Sequence, residues 1–348
     1  MKKTLLFVSA MASMLFASCQ KEANQAADTV TATFTIQAPV VLGTKAVTSA
    51  DQVTISDGRA ADNLVFAVYD ETGTELTELR KGDWKNNIGD DQTKIIFSND
   101  AQPSATVNVT LVRGKKYSFV CWAQNEAATC YNFSDMKNIG ISYTDYNASN
   151  NDLRDAFYAY AETAGVVTDN FSQTITLKRP FAQINAGTTD FVEAKKAGLE
   201  IDDLYTTMTV KNAATVLETF TGKATTPAEV TFAYAHAVAP DYSLVINKNK
   251  VVNTPQVTVA DAYGWLAMNY ILVADGSNIG TDSALATVTV EIREGDNTVL
   301  TSYTIENVPV QRNYRTNLVG SLLTAEGTVS VLIDPIFEGE YVTVVPQN

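Results

Sequence analysis

From Thr29 to Gln37 the chain alternates without interruption, with Val30, Ala32, Phe34 and Ile36 on one side and Thr29, Thr31, Thr33 and Thr35 on the other. Successive side chains of an extended backbone point to opposite faces, so this spacing specifies a strand with one dry and one wet face and excludes an amphipathic helix. The same period of two returns in Leu64-Phe66-Val68, Ile95-Phe97, Val107-Val109-Leu111, Tyr117-Phe119-Cys121, Ile175-Leu177, Met208-Val210, Val230-Phe232, Leu244-Ile246, Val257-Val259, Val288-Val290-Ile292, Val299 to Ile305 and Val329-Val331-Ile333. Trp265 to Val273 is almost continuously apolar and reads as a central strand. Asp70-Glu71-Thr72-Gly73 and Gly295-Asp296-Asn297 are turn signals, and Arg113-Gly114 reads as a hairpin turn. Residues 125–155 lose the alternation and gain Asn, Asp, Ser and Tyr, which predicts a long surface excursion. The only helical stretch runs from about Phe191 to Ala197. About 15 short strands and few helices predict an all-β chain of two β-sandwiches in series. The division is expected near residues 178–188, giving an N-terminal domain over 29–180 and a C-terminal domain over 181–348.

The chain has 348 residues, 45% of them hydrophobic, which is enough to fill two cores. Its formal net charge of -14 lacks the electrostatic footprint of a nucleic-acid partner. A single histidine, His236, leaves little room for histidine-based metal sites or catalytic triads. No nucleophile elbow, P-loop, zinc-helix or dinucleotide fingerprint is present. The carboxylate pairs Asp90/Asp91 and Asp202/Asp203 would point to opposite faces of a strand, so they read as chance neighbours among 39 acids. Asp275-Gly276-Ser277-Asn278 lacks the alternating ligand spacing of a calcium loop and reads as a solvated turn. The expectation is a non-enzyme without cofactor or metal.

Lys2 and Lys3 precede an apolar stretch from Leu5 to Phe16, too short to span ~30 Å of hydrocarbon as a helix. With Ala17 and Ser18 directly before Cys19, residues 1–18 read as a secretory signal, and Leu-Phe-Ala-Ser-Cys resembles a bacterial lipobox. That resemblance implies cleavage before Cys19 and lipid on the new N-terminus; the plainer reading is an ordinary signal with a chance cysteine. Loss of Lys2 and Lys3 takes the charge to -16. Residues 19–28 read as a polar, lipidated tether, and Cys-Gln-Lys-Glu also resembles the short acidic signal that sends lipoproteins of the Bacteroidota to the outer face of the outer membrane. Two cysteines remain. A Cys121–Cys130 bridge would contribute roughly 2–3 kcal/mol by closing a short loop. Against it, Cys121 alternates with Tyr117 and Phe119 and fits a buried strand thiol.

Three further blocks stand out: Leu111-Val112-Arg113-Gly114-Lys115-Lys116-Tyr117 continuing to Cys121-Trp122-Ala123-Gln124, Leu177 to Thr188 ("LKRPFAQINAGT"), and Val308 to Thr324 ("VPVQRNYRTNLVGSLLT"). In this order they resemble the fimbrillin-like lipoproteins of the Bacteroidota, the family of fimbrial subunits of type V pili. The resemblance implies two transthyretin-like (Ig-like) sandwich domains, an outer-membrane, cell-surface location, and a structural or adhesive role. It also implies that a surface protease removes the first strand after a basic residue, and that a strand from a neighbouring subunit fills the emptied groove to build a fimbria. Thr29 to Ala38 would be the removable strand and residues 39–62 the cleavable loop; the plainer reading is that this strand stays paired and the loop is merely exposed. Lys45 is the better candidate for cleavage and Arg59 the second; a lysine departs from the arginine usual at such sites, so the protease is trypsin-like or Arg/Lys-specific. Val329 to Val345 supplies alternating apolar residues for a donor strand, but Pro335 and Pro346 interrupt it, and the alternative is that it completes its own sheet. The expected partners are other copies or related fimbrial subunits and, through the lipid, the outer membrane. A monomeric surface lipoprotein that binds a glycan or host protein is the alternative.

Overall fold

The computed structural model describes residues 28–38, 61–98, 103–143, 154–200, 204–233, 264–273, 283–324 and 329–334. The first half of these builds two facing sheets. One sheet has three strands, with β1 (Thr29–Gln37) in the middle, β4 (Ser104–Val112) antiparallel on one side and β9 (Phe171–Thr176) parallel on the other. The other has four, in the order β3 (Ile95–Ile96), β2 (Asn63–Tyr69), β5 (Ser118–Gln124) and β8 (Phe157–Glu162). Val30, Phe34 and Ile36 meet Leu64, Phe66 and Phe119 between them in a continuous apolar core. The layers are therefore those of a β-sandwich.

Every residue of β2 is buried. The reason lies on the far side of its sheet, where Val65, Ala67, Tyr69, Val120 and Trp122 pack into a second and larger core. This core belongs to the second half of the chain. There β10 (Phe181–Thr188), α1 (Phe191–Lys196), β11 (Leu204–Glu218), β12 (Lys223–Ala233), β13 (Gly264–Val273), β14 (Ser283–Glu294), β15 (Val299–Gln311), β16 (Arg315–Gly320) and β17 (Val329–Asp334) follow in order. The long strand β11 serves two groups of strands. Leu204 to Val210 pair with β14, whereas Ala213 and Ala214 pair with β13, and β12 follows both halves. The change falls at a bulge after Val210, where Asn212 adopts φ 67°. A bulge bends a strand and increases its twist, which lets one hairpin turn the corner between layers.

Within the excursion expected at the surface, the described residues 125–143 alternate between exposed and buried positions and contribute to the fold. Tyr131–Asn132 and Asn138–Ile141 form two short strands, β6 and β7, and β7 pairs with the end of β11 through Ile139↔Leu217. Cys130, Tyr131, Phe133, Met136, Ile139 and Tyr143 enter the larger core. Strands of two and four residues are too short to display a period, and the Asn, Asp, Ser and Tyr content around them resembles that of a loop. Arg113-Gly114 also differs from expectation, because it carries the chain from β4 in one sheet to β5 in the other rather than closing a hairpin.

Two buried arginines fasten the core, and one of them, Arg179, joins the two halves of the chain. Arg179 makes a two-pronged pair with Asp155 at 2.7 and 2.8 Å, donates to Asn313 Oδ1 at 2.6 Å, and lies over the Phe157 ring. Arg80 donates to Glu75 and Asp83 and to the carbonyls of Phe133 and Ser134. Each guanidinium has bidentate or multiple acceptors, which is what a buried cation needs.

Candidate functional site

The first strand is the centre of its sheet, although it stands at the beginning of the described chain. Its inward residues Val30, Ala32, Phe34 and Ile36 are sealed from solvent. The Phe34 ring lies 4.5 Å from Phe119, 5.0 Å from Phe66 and 5.8 Å from Phe171, measured between centroids. β4 pairs with β1 along its whole length, and β9 pairs with it from Ala32 to Gln37. The outward row, Thr29 to Thr35, takes lateral bonds: Thr31 N–H donates to Asn170 Oδ1 and the Thr33 hydroxyl donates to Asn108 Oδ1, both at 2.8 Å. At the entering end the Arg113 N–H donates to the Asp28 carbonyl, and its guanidinium pairs with the Asp28 and Asp169 carboxylates.

Among the described residues β4 and β9 do not pair with each other. Taking β1 away would therefore leave a slot with hydrogen-bonding groups on both walls. Its apolar floor would be Phe66 and Phe119, and its walls would be Val107, Val109, Leu111 and Ile175. Such a slot costs free energy on two counts, unpaired backbone groups and wetted apolar surface, and any extended segment with the right side-chain sizes relieves both.

Cys19, Lys45 and Arg59 lie outside the described residues, as do His236, Asp202, Asp203 and the Asp275–Asn278 turn. Cys121 and Cys130 are free and buried. They occupy different cores: Cys121 faces β1 between the two N-terminal sheets, and Cys130 packs into the larger core on the other side of the β2–β5 sheet. Desolvation pushes both thiols above their ordinary range. The Asp91 carboxyl is held below the usual carboxylate range by hydrogen bonds from the Thr93 side chain and from the Thr93 N–H. Among the described residues no group of three or more His, Cys, Asp or Glu is arranged to hold a metal, and no helix is long and apolar enough to cross a membrane.

A family model matches residues 23–346, nearly the whole chain. The chain belongs to DUF6562, a family of unknown function. No curated protein is significantly similar to this DUF6562 chain in sequence. Among solved structures, a fimbrial assembly protein from Parabacteroides distasonis is 14% identical, covering 91% of this chain and 100% of its own, with a TM-score of 0.44. The fimbrial anchor protein from Porphyromonas gingivalis is 10% identical over 90% of this chain and 99% of its own, with a TM-score of 0.43. The tip fimbrial protein from the same organism, crystallised with a C-terminal truncation, is 12% identical over 88% of this chain and 99% of its own, at 0.44. The β-sandwich architecture of the DUF6562 chain stands on its own sheets and cores.

Proposed function

We propose that this chain is a lipid-anchored cell-surface fimbrial subunit or accessory adhesin of the Bacteroidota outer membrane, assembled when its first strand is cut away and replaced by a strand from another subunit. The observation that carries the reading is the position of β1, a terminal strand lodged centrally between β4 and β9. The three sequence blocks that resemble fimbrillins support it. In this reading Cys19 carries the lipid, and a trypsin-like or Arg/Lys-specific surface protease cuts after Lys45 or Arg59, freeing anchor and strand together. The proposed domains, 29–180 and 181–348, are packed together through the β2–β5 sheet and β6–β7, and the reading involves no catalytic step and no cofactor.

The donor is the C-terminal segment of another copy. Phe337, Gly339, Tyr341 and Thr343 keep the same period of two as Val30, Ala32, Phe34 and Ile36, and match them at the two central positions, small at Gly339/Ala32 and aromatic at Tyr341/Phe34, with a larger side chain in place of Val30 and a hydroxyl in place of an Ile36 methyl group. Size order is what a preformed slot selects. The sealed position of Ala32 admits only a small residue, and Gly339 supplies one.

Limited trypsin digestion of the mature protein, read by mass spectrometry and unheated gel electrophoresis, tests this. Cleavage at Lys45 or Arg59 followed by a ladder of oligomers is the expected result, and Tyr341→Asp should abolish the ladder while leaving the cut. A resistant N-terminus and a monomer under all conditions would overturn strand exchange and leave the monomeric binding lipoprotein in its place.

A further inference from the structure

The other edge of β4 carries its own information, independent of whether β1 is exchanged. Ala38 N–H donates to the Pro103 carbonyl and Arg113 N–H to the Asp28 carbonyl. These two bonds set the phase of the β1–β4 ladder: the odd residues of β4 face β1, and the even ones face away. Both ends of the outward row are tied off. Ser104 exchanges bonds with Ser98, while the Tyr117 hydroxyl accepts from Val112 N–H and donates to its carbonyl. Between those ties stand Thr106, Asn108 and Thr110, whose backbone groups point outward, and no described strand lies beyond them. Beside Thr110 and Val112 the space is open, a groove of about 370 Å³ floored by Leu76, Leu79 and Tyr117.

Sheet proteins protect such edges with lysine, proline, a bulge or a very short strand. β4 has none of these: it is nine residues long, keeps one register throughout, and reads Ser-Ala-Thr-Val-Asn-Val-Thr-Leu-Val. In a chain of net charge -14 the row itself is uncharged, while the groove at its end carries Lys115 and Lys116 beside Asp70, Glu71 and Glu78, so each copy brings both signs of charge to the contact.

We propose that the free edge of β4 is a self-association surface, pairing antiparallel with β4 of a second copy about a two-fold axis through Asn108. The row is self-complementary. Thr106 faces the partner's Thr110, Asn108 faces the partner's Asn108, and each of the three gives one N–H and accepts one at its carbonyl. The product is a continuous six-stranded sheet with the order β9-β1-β4 in each half. The tied ends fix this register, because a slip would set an outward residue against a group already bonded. β4 keeps this edge whether β1 or a donor strand holds its other side.

The test uses the intact, uncut chain. Sedimentation from about 1 to 100 μM should show a monomer–dimer equilibrium in the micromolar range. Amide exchange at Thr106, Asn108 and Thr110 should slow in proportion to the dimer fraction. Thr106→Lys with Thr110→Lys places lysine against lysine twice across the two-fold and should weaken association more than tenfold, with the thermal midpoint of dilute protein unchanged. Thr106→Glu with Thr110→Lys alters the same two positions but sets opposite charges together, and should restore the dimer. A monomer at every concentration, or a dimer indifferent to both double variants, overturns the proposal. Amides protected equally at all dilutions overturn it as well, by showing that the edge is covered within one chain.

Discussion

Phe34 fills the centre of its sandwich, touching rings from both sheets, and it does so from a strand with few other large side chains. Phe34→Ala should therefore cost about 3–5 kcal/mol, as truncation of a sealed aromatic does, read as a drop in the denaturant midpoint. Thr35→Ala, on the wet face of the same strand, should stay within about 0.5 kcal/mol. That contrast was legible in the sequence, since the alternation alone assigns Phe34 inward and Thr35 outward. Cys121 was legible by the same rule, whereas Cys130 was not, because nothing near it repeats. The two thiols sit on opposite sides of one sheet, and sequence separation cannot reveal a sheet between them. Burial holds the Cys121 proton beyond its ordinary value of 9.0, so the unfolded chain loses its proton first. The contribution of this thiol to stability is therefore complete below about pH 9 and declines as pH rises, by about 1.4 kcal/mol per unit until the native group also ionises. Thermal midpoints between pH 8 and 10 should fall, and Cys121→Ala should flatten that slope without removing it, since burial raises Cys130 too.

Elements with a long, unbroken period were read closely: β1, the apolar β13, and the β14–β15 hairpin, whose turn places Asn297 at φ 73° as the Gly-Asp-Asn signal implies. Pairing was far less legible, because a strand's period gives its faces and not its neighbours. β11 is the clearest case. Only Met208-Val210 shows the alternation in the sequence, yet the strand runs for fifteen residues, and the bulge at Lys211-Asn212 divides it between β14 and β13. Asn212 has the left-handed backbone that asparagine and glycine tolerate and a branched side chain resists. Asn212→Gly should be nearly neutral, and Asn212→Val should cost about 1–2 kcal/mol. A denaturation series on the two variants checks this, and equal losses would show that the side chain rather than the backbone matters at the corner.

At the scale of the whole molecule the β2–β5 sheet is the common wall of both cores, dry on each side. The sequence reading, alternation through Leu64, Phe66 and Val68, accounts for one dry face only; Val65, Ala67 and Tyr69 are buried as well, because a second core covers the face that alternation assigns to solvent. The cover comes from β6, β7 and the far half of the chain, and the buried Arg179–Asp155 pair fastens the junction to Asn313. Removing one partner strands the other charge in a dry site, so Asp155→Ala should cost about 3–5 kcal/mol. Replacing both with apolar residues of similar volume should recover much of that loss, because the pair's attraction is offset by the cost of desolvating it. Shared walls also couple unfolding. When one core opens, Val65, Tyr69 and Trp122 lose their cover on one face, and the other core loses the support of its own sheet. Calorimetry of the intact chain should accordingly show one cooperative transition, and Asp155→Ala should move it down as a unit. Two separated transitions, only one of them displaced by Asp155→Ala, would mean that the cores fold independently despite the wall they share.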